Sequence, residues 1–527
     1  MQRLPVDIST FSKIRDLNCL YVDKTQYMYQ MITEGTRYFL SRPRRFGKSL
    51  LVSTLKEILT GNKQLFDGLW ITSSDYDWHE YGVINLDFSR INADSLDLVK
   101  YRLKDLLLSV ARDYNLTIDQ TIEAPDIILE KIVDQLFRKY GRTALLIDEY
   151  DSPILKTLHN ITLAKEVRNL IQQFFTTIKS LDAQIQFVFI TGVSSFAKAG
   201  LFSGINNLQI ITLRDKYAAI CGYTDTEVDH YFKEYMTVWS QKAGTTYDNL
   251  RERVRSWYNG YSFGYNVAKV YNPFSVLNAF HVQEFENFWF QSGTPTFLVE
   301  ILKEEYKKID LDRLIISRDM LGVFDVGTIP AIALMFQAGY LTIIDYDPES
   351  DLYKLDYPNF EVKRSFQKYL LEILTHIEPS YAQDLSAQFF DAFNHHNIQA
   401  AVDVLKQFFA HIPYQLHIKE EKFYHTVLMA ICVAVGIKAQ SEFSTEDGLS
   451  SEALAKEGRI DLIMEFKQFL YVIEVKFNDT AENALAQIEK REYYQRFLSY
   501  DKQVILIGFA FKKEPQNFDI EYIEKIL

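Results

Sequence analysis

The fold of the front of this chain is decided by one stretch, Arg37-Tyr38-Phe39-Leu40-Ser41-Arg42-Pro43-Arg44-Arg45-Phe46-Gly47-Lys48-Ser49. Its first four residues indicate a short strand, the next nine a loop, and residues 50–59 a helix that Gly47-Lys48-Ser49 opens. Backbone N–H groups and the helix dipole favour an anion at such a start. Lys48 would then reach terminal phosphates, and the Ser49 hydroxyl is placed for Mg²⁺. The stretch therefore predicts a nucleotide-phosphate site.

This loop departs from the usual phosphate-loop pattern in one position. The pattern has a glycine five residues before Gly47, where this chain has Arg42. A Gly-Lys-Ser triplet in a loop also occurs often by chance, so coincidence remains an alternative. Arg44 and Arg45 add cations where a glycine-rich loop offers only backbone donors. We expect at least one of them to contact nucleotide phosphate or an acid that closes the site; the alternative is that both face solvent.

A second element about a hundred residues later supports a nucleotide site. Residues 144–147, Ala-Leu-Leu-Ile, form an apolar strand that ends in Asp148 and Glu149. We expect Asp148 to hold Mg²⁺ through water and Glu149 to polarise the attacking water, in the manner of a Walker B element. The alternative is that both acids only cap the strand as it leaves the sheet.

Further strands fit one parallel sheet. Residues 83–88 and 185–190 are apolar runs separated by helical stretches, as right-handed crossovers require. Thr191 follows the second run, where a polar side chain is placed to sense a γ-phosphate. The front of the chain is therefore predicted to be an α/β domain with a parallel sheet.

The end of the chain carries a different pattern. Two apolar, β-rich runs flank Lys467-Gln468 and indicate a hairpin. A two-residue turn there places Asp461 opposite Glu474, and Lys476 shares the face of Glu474 because strand side chains alternate. Paired carboxylates bind a hard cation such as Mg²⁺, and an ammonium orients water or stabilises charge on a phosphate. The pattern indicates metal-assisted phosphodiester hydrolysis; the alternative is two ordinary acids on the wet face of a hairpin.

The elements around this hairpin follow the order α-β-β-β-α-β. They are a helix at 421–436, a strand at 439–444, the hairpin, a helix at 480–498 and a strand at 503–511. In this order the last hundred residues resemble the PD-(D/E)XK nuclease superfamily. The resemblance implies that Asp461 and Glu474 are metal ligands, that Lys476 is the catalytic lysine and that Glu421 is a supporting acid. Some members carry a glutamine and a tyrosine on the following helix, and here Gln487 and Tyr494 are spaced to share a helix face.

The first three hundred residues resemble the AAA-ATPase-like proteins that many bacteria carry fused to a C-terminal PD-(D/E)XK domain. The matching motifs are Tyr21-Val22-Asp23-Lys24-Thr25, the loop Phe39 to Ser49, Leu86-Asp87-Phe88-Ser89, Ile147-Asp148-Glu149-Tyr150-Asp151, Thr191-Gly192-Val193-Ser194, Trp257-Tyr258-Asn259-Gly260-Tyr261 and Tyr271-Asn272-Pro273-Phe274-Ser275. Arg42 belongs to this family's loop, so its departure from the general pattern is a family trait. The resemblance implies ATP binding and a nuclease-like partner domain. The predicted ATP-binding residues are Arg42, Arg44, Arg45, Phe46, Gly47, Lys48, Ser49, Asp148 and Thr191, with Ser49 and Asp148 at the Mg²⁺.

Length and composition allow several domains. The chain has 527 residues, 47% of them apolar. We predict an α/β protein with a P-loop NTPase (AAA/STAND-like) parallel sheet, a helical and winged-helix lid region, and a C-terminal PD-(D/E)XK-like α/β domain. The predicted boundaries are 1–215 for the ATPase, 216–375 for the lid, 376–420 for a helical connector and 421–527 for the nuclease-like domain. In the lid, a helix ending at 337–340 and a hairpin over 341–355 indicate a winged helix. It has few basic residues, so relay of the nucleotide state is favoured over DNA binding.

Charge and cysteine content bound the partners and the compartment. The net charge of −13 excludes a protein that coats nucleic acid non-specifically, so any DNA or RNA contact must come from a local basic patch. Three scattered cysteines indicate a reducing compartment. The start lacks the apolar core of a signal peptide, and no apolar run approaches the ~20 residues that span a bilayer. We expect a soluble, cytoplasmic protein without a membrane partner; a homo-oligomer remains open.

Two functions fit these patterns. The first is an ATP-binding and ATP-hydrolysing protein coupled to a Mg²⁺- or Mn²⁺-dependent nuclease that acts on DNA or RNA. The second is an ATP-dependent switch or scaffold whose terminal domain binds a partner without cutting. The first is the leading hypothesis, because both sets of residues occur in one chain. The low overall basicity supports the second, because productive nucleases usually present a groove that attracts phosphate.

Overall fold

The structure of the protein is a computed structural model. It describes residues 1–195, 200–202, 204–205, 207–289, 314–321, 330–375, 379–411, 424, 427–429, 431–432, 438–440, 462–514 and 517–527. These residues fall into two compact units, Met1–Val362 and Lys363–Leu527. The four-part division stays a prediction; the predicted connector, residues 376–420, belongs to the second unit together with the terminal domain.

The first unit is built on a parallel sheet of five strands in the order β2-β3-β4-β1-β5. The strands are β1 (Arg37–Ser41), β2 (Gly82–Asp87), β3 (Thr143–Asp148), β4 (Ile185–Gly192) and β5 (Gln209–Ile210). The four strands predicted from the sequence are confirmed. Every residue of β3 is buried, as expected for a central strand covered on both faces.

Helices precede, separate and follow these strands. They are α1 (Phe11–Asp16), α2 (Thr25–Glu34), α3 (Lys48–Leu59), α4 (Leu96–Asp113), α5 (Pro125–Tyr140), α6 (Ser152–Lys156) and α7 (Ile161–Ser180). In α7 the side-chain oxygen of Asn160 accepts from the backbone N–H of Leu163 and caps the start of the helix. Its buried residues recur at helical spacing (Ala164, Val167, Ile171, Phe174, Phe175 and Ile178), which gives the helix one apolar face for the core.

The rest of the first unit consists of two smaller groups of elements. One contains β6 (Tyr223–Thr224), α8 (Asp225–Tyr231), α9 (Lys233–Lys242), α10 (Tyr247–Tyr258), β7 (Val270–Tyr271) and α11 (Pro273–Val282). The other contains β8 (Ile315–Ser317), α12 (Arg318–Leu321), α13 (Ala331–Ala338), β9 (Thr342–Asp347) and β10 (Leu352–Asp356), with an antiparallel sheet in the order β8-β10-β9. The helix and hairpin predicted over residues 331–355 are therefore confirmed.

The second unit packs helices with a mixed sheet in the order β11-β12-β13-β14-β15. The helix α14 (Phe360–Thr375) begins in the first unit, and α15 (Pro379–Asn394), α16 (Ile398–His411) and α17 (Ala481–Arg491) lie in the second. The strands are β11 (Lys438–Gln440), β12 (Leu462–Glu465), β13 (Phe469–Phe477), β14 (Gln503–Glu514) and β15 (Asn517–Ile526). The predicted order of elements omitted β15, which is an antiparallel partner of β14 at the edge of the sheet.

The hairpin of β12 and β13 has the predicted register. Leu462 pairs with Ile473 and Glu465 pairs with Leu470, and the backbone N–H of Phe466 donates to the Phe469 carbonyl at 2.8 Å. The turn is therefore centred on Lys467-Gln468, as the sequence predicted. Two predicted ligands, Asp461 and Glu421, lie outside the described residues, so the pairing of Asp461 with Glu474 stays a prediction.

Two sequence expectations concern membranes and disulfides. Among the described helices, none is both long enough and apolar enough to span a bilayer. The cysteines Cys19, Cys221 and Cys432 are buried and form no disulfide.

Candidate functional site

The phosphate loop connects β1 to α3 through two left-handed backbone positions. Gly47 has φ 88° and Arg45 has φ 65°. Glycine adopts this region without cost, whereas a residue with a Cβ is strained there by on the order of 1 kcal/mol or more. With this turn, α3 begins at Lys48, so the first turn of the helix carries the two polar side chains predicted for phosphate and Mg²⁺.

Lys48 lies between the loop and the end of β3. Its side chain is 3% exposed, and its Nζ donates to the Pro43 carbonyl at 3.1 Å and lies 3.2 Å from Glu149 Oε1. The structure thus brings together the lysine predicted to bind phosphate and the acid predicted to activate water. In this state the two charges neutralise each other, and an entering phosphate must take Lys48 away from Glu149.

The acids after β3 occupy contrasting environments. Asp148 is buried, while the Glu149 side chain is 24% exposed and its backbone is left-handed, with φ 51°. Burial raises the pKa of Asp148 to about 6, and the charge of Glu149 adds to that rise. A hydrogen bond with Ser49 and the charge of Lys48 oppose it. Asp148 is therefore a carboxylate that a nearby cation would help to ionise.

The oxygen atoms at this position suit a magnesium ion. Asp148 Oδ1 is buried and accepts no hydrogen bond within the described part of the chain, and the Ser49 hydroxyl lies beside the same carboxylate. Mg²⁺ is usually held by one or two protein oxygens, with waters and substrate phosphates completing the octahedron. The described ranges contain no cluster of three or more His, Cys, Asp or Glu that could form an all-protein cage. The donor set therefore fits Mg²⁺ bound together with a nucleotide.

Thr191, the predicted sensor of the γ-phosphate, ends the neighbouring strand. It pairs with Leu40 of β1 and is fully buried, and its Oγ1 has no hydrogen-bond partner among the residues described. Its carbonyl accepts from the Tyr150 backbone N–H at 3.0 Å.

Sequence reasoning did not assign a role to Asp151, which is fully buried and accepts from the backbone N–H groups that follow Gly192, those of Val193 at 3.2 Å and Ser194 at 2.6 Å. Its position two residues after Glu149 was the available signal.

Arg42 is not among the residues that line the cavity beside the loop. Its guanidinium donates to the carbonyls of Ser41 at 2.9 Å, Thr212 at 2.8 Å and Tyr217 at 3.0 Å, and lies 3.9 Å from the ring centroid of Phe263. The side chain is 1% exposed, and this burial lowers its pKa to about 10. These contacts differ from the predicted contact with the nucleotide. They fit a structural anchor that fixes the start of the loop.

The other loop residues stay near the predicted site. Arg44 and Arg45 line the cavity, and the Arg45 guanidinium lies 4.7 Å from the ring centroid of Phe274. The Arg44 carbonyl accepts from Trp289 Nε1 at 3.1 Å. Phe46 is buried, with an edge-to-face contact at 4.7 Å to Tyr261. The phosphate contact expected of Arg44 or Arg45 stays a prediction.

A cavity of about 640 Å³ opens beside the phosphate loop in the first unit. One part of its lining carries the polar side chains of the loop, the start of α3 and the ends of β2 and β3: Arg44, Arg45, Lys48, Ser49, Ser89, Glu149, Ser152 and Lys156. Another part is largely apolar and comes from the N-terminal segment and the elements after β5: Pro5, Ile8, Ile14, Leu20, Tyr21, Val22, Met28, Ile220, Tyr223, Pro273, Phe274 and Leu277. The cavity therefore offers both charged and apolar surfaces.

A second group of polar side chains gathers in the terminal unit around Glu474 of β13. Glu474 is 1% exposed, and Lys476 Nζ lies 3.5 Å from its Oε1. The same oxygen accepts from Gln487 Nε2 of α17. Lys476 and Glu474 share one face, as predicted, and Gln487 reaches it from the helix.

Glycine at position 508 allows this approach of the helix. Gly508 pairs with Glu474 on the neighbouring strand β14. A Cβ at this position would meet the Ala481 carbonyl oxygen and, at 2.7 Å, the Leu485 backbone nitrogen of α17. The missing side chain therefore lets the first turns of α17 lie directly on the sheet, which brings Gln487 to Glu474.

The expected shared helix face of Gln487 and Tyr494 is wrong. The helix ends at Arg491, because Glu492 takes a left-handed conformation with φ 54° and the chain continues as a 3₁₀ turn over Tyr493–Phe497. Tyr494 packs instead against the apolar core of this unit. The described group therefore contains one acid, one lysine and one amide, while the predicted ligands Asp461 and Glu421 lie outside the described residues.

Comparisons with known proteins match the two domains that contain these candidate sites. A family model of predicted AAA-ATPases matches residues 5–202, and a model of the PD-(D/E)XK nuclease superfamily matches residues 419–521. An uncharacterised protein in the vnfD 5′ region of Azotobacter chroococcum mcd 1 is 34% identical over 531 residues, covering 98% of each chain. The structure of the Aeropyrum pernix ORC1 protein in complex with DNA is similar at 10% identity and a TM-score of 0.25, covering 66% of this chain and 91% of that one, too distant to carry an argument. On the two family matches and the full-length relative, the chain belongs to the family of predicted AAA-ATPases that carry a C-terminal domain of the PD-(D/E)XK nuclease superfamily.

Proposed function

We propose that this protein binds and hydrolyses ATP with Mg²⁺, and that this reaction controls a metal-dependent phosphodiesterase in the terminal unit that acts on DNA or RNA. One observation supports the ATPase most directly: Lys48 and Glu149 line a cavity of about 640 Å³ that has both charged and apolar walls, and the buried Asp148 lies near both of them. Phosphates suit the charged wall, and a purine base suits the apolar one.

In this proposal the residues act by position and charge. Lys48 moves from Glu149 to the β- and γ-phosphates. Glu149, which is then no longer paired with Lys48, orients the attacking water. Ser49 and Asp148 would hold Mg²⁺, which would supply charge neutralisation at the phosphate oxygens. Thr191, whose buried hydroxyl lacks a hydrogen-bond partner among the described residues, senses the γ-phosphate.

The proposal for the terminal unit rests on Glu474 and Lys476. Glu474 would be a metal ligand together with Asp461, with Glu421 in support, and Mg²⁺ or Mn²⁺ would supply Lewis acidity. Lys476, 3.5 Å from Glu474, orients the water or stabilises charge on the phosphate. Gln487 holds the Glu474 carboxylate in place by donating to Oε1.

A second candidate function has support from the charge of the chain. With a net charge of −13, the protein attracts nucleic acid weakly outside a local patch. The terminal unit would then bind a partner without cutting, under control of the ATP state.

A cleavage assay separates the two functions. Plasmid DNA and a structured RNA are incubated with the protein and Mg²⁺ or Mn²⁺, with and without ATP. We expect ATP-dependent cleavage that Lys476→Ala abolishes, while Lys467→Ala, which changes an exposed lysine of the hairpin turn, leaves cleavage intact. Lack of cleavage under every condition, with ATP hydrolysis present, would exclude the nuclease function and favour the switch.

A further inference from the structure

A buried acid at the start of α14 has no role in either candidate site. Glu361 is fully buried within the first unit and is the second residue of the helix Phe360–Thr375. The Asn359 side chain accepts from the Val362 backbone N–H at 3.0 Å and caps this end of the helix. A carboxyl group is costly to bury unless its oxygens accept hydrogen bonds, so the partners of Glu361 indicate what it holds.

Both oxygens of Glu361 accept hydrogen bonds. Oε1 accepts from the Trp289 backbone N–H at 2.7 Å, and Oε2 accepts from Ser275 Oγ at 2.8 Å. Burial nevertheless raises the pKa of Glu361 to about 8. The carboxyl is thus fixed between two segments that are far apart in the sequence.

The first of these segments leads to the phosphate loop. Trp289 is fully buried, and its indole Nε1 donates to the Arg44 carbonyl at 3.1 Å. Two hydrogen bonds through one rigid residue therefore join the main chain of the loop to Glu361. Displacement of Arg44 by a bound phosphate strains or breaks this link.

The second segment leads to the same loop by a different route. Ser275 follows Phe274, which lines the cavity and lies 4.7 Å from the guanidinium of Arg45. The backbone N–H of Ser275 donates to Asn272 Oδ1 at 3.1 Å, which fixes the start of α11. Two neighbouring arginines of the phosphate loop are therefore connected, by separate contacts, to one carboxyl.

We propose that Glu361 is a positioning residue that links occupancy of the phosphate loop to α14, the helix that continues beyond the first unit. The proposal rests on ATP binding as the proposed function. Nucleotide phosphate draws Arg44 or Arg45 into the site, and the change reaches the first turn of α14 through Trp289 and Ser275. The state of this helix is the signal by which ATP controls the terminal unit.

Hydrogen–deuterium exchange of peptides covering residues 360–375 tests this link, with and without Mg²⁺ and ATP. In the parent protein we expect ATP to change exchange in this helix by about fivefold or more, the lower end of ordinary coupling between sites. Glu361→Gln replaces one acceptor oxygen by a donor. Trp289→Phe replaces the indole by a smaller ring without the N–H that reaches Arg44, and it keeps the backbone N–H that donates to Glu361. Both variants should lose the response while still binding a fluorescent ATP analogue, with KM for ATP raised and kcat near the parent value.

Matched controls and distinct outcomes make the test decisive. Glu349→Gln changes an exposed acid and Trp70→Phe an exposed tryptophan, and both should respond like the parent. A full response in Trp289→Phe or in folded Glu361→Gln overturns the proposal; if Glu361→Gln does not fold, Trp289→Phe decides. If the parent binds ATP but exchange in residues 360–375 does not change, this inference fails and the proposed function does not. If the parent binds no ATP, the proposed function fails and the inference with it.

Discussion

Lys48 is the residue on which the nucleotide site depends most. It is buried between the loop carbonyl of Pro43 and the carboxylate of Glu149, so an entering phosphate finds a positioned cation. Lys48→Ala should abolish ATP binding or reduce turnover by a factor on the order of 10² or more, because it removes the buried cation placed to neutralise the β- and γ-phosphates. Calorimetry and phosphate release measure this. Lys56→Ala, an exposed lysine of the same helix, serves as the control, and unchanged affinity and turnover in Lys48→Ala would contradict the assignment.

Glu149→Gln should behave in a different way. The substitution keeps the shape and leaves Asp148 in place, but it removes both the base and the ionic partner of Lys48. ATP should therefore bind at least as tightly as in the parent, while hydrolysis falls by about 10²–10⁴-fold, the usual contribution of a general base. Binding is measured by titration and turnover under single-turnover conditions. Hydrolysis at the parent rate would assign water activation to another residue.

Glu361 should make stability depend on pH. Burial raises its pKa from the ordinary value of 4.5 to about 8, so the folded state holds this proton more tightly than the unfolded chain does. The resulting stabilisation is fully present below pH 4.5 and is lost as pH rises through 8. Chemical unfolding from pH 5 to pH 9 should show the parent losing stability relative to Glu361→Gln, by roughly a few kcal/mol in total. A constant difference between the two proteins would contradict this.

Sequence identifies a residue when its own type and spacing carry the chemistry. Lys48, Asp148 and Glu149 are predicted in this way, since each ends or follows a strand or opens a helix at a recognisable position. The contacts of Arg42 could not be predicted, because its partners are main-chain carbonyls of residues as distant as Tyr217, and carbonyls leave no signature in a sequence. In the sequence, Glu361 resembles an ordinary charged residue of a helix, and only the packing of the folded chain shows that it is buried.

At the scale of elements, the sequence predicted well those helices and strands whose apolar residues follow one clear pattern. The parallel strands and the turn at Lys467-Gln468 follow from apolar runs and their breaks. The strand β15 was missed although its residues alternate between apolar and charged, as an edge strand with one wet face does. The helix α17 ends early, at Arg491, because Glu492 takes a left-handed conformation. No glycine or proline at this position marks the end of the helix in the sequence.

Gly508 controls how closely α17 approaches the terminal sheet. In Gly508→Ala the new Cβ meets backbone atoms of Ala481 and Leu485, which cannot rotate away. We expect a loss of about 1–3 kcal/mol in the free energy of unfolding, typical of overpacking, together with separation of Gln487 from Glu474. Denaturant unfolding measures the loss. Adding Ala484→Gly should not rescue the variant, because the obstruction is backbone; a Gly508→Ala protein as stable as the parent would refute the account.

At the scale of the whole molecule, the two candidate chemistries use residues of different units. Glu474→Gln should abolish metal-dependent cleavage and remove the stabilisation of the terminal unit by Mn²⁺ or Mg²⁺, which relieves carboxylate repulsion when bound. ATP hydrolysis should remain near the parent rate. Cleavage assays, thermal unfolding with and without metal, and phosphate release test the three statements. Loss of ATP hydrolysis in this variant would contradict the independence of the ATPase.

The family and the order of its domains could be read from the sequence, while the four-part division of the chain stays a prediction. The predicted boundaries at 215, 375 and 420 follow changes in pattern. The boundary between the two compact units falls between Val362 and Lys363 along the chain, inside a helix. A continuous helix shows no change in composition at such a boundary. Contacts made by the flanking residues decide it, and these are not visible in local sequence.

The contact between Lys48 and Glu149 also means that a carboxylate of the protein itself competes with free anions for the lysine. A tethered carboxylate occupies the lysine at an effective concentration on the order of millimolar, which a dilute single anion with one contact does not exceed. A nucleoside triphosphate brings several phosphates, a metal ion and a base, so its combined contacts displace the carboxylate where inorganic phosphate does not. We therefore expect the pair to exclude small anions and to admit polyphosphate ligands.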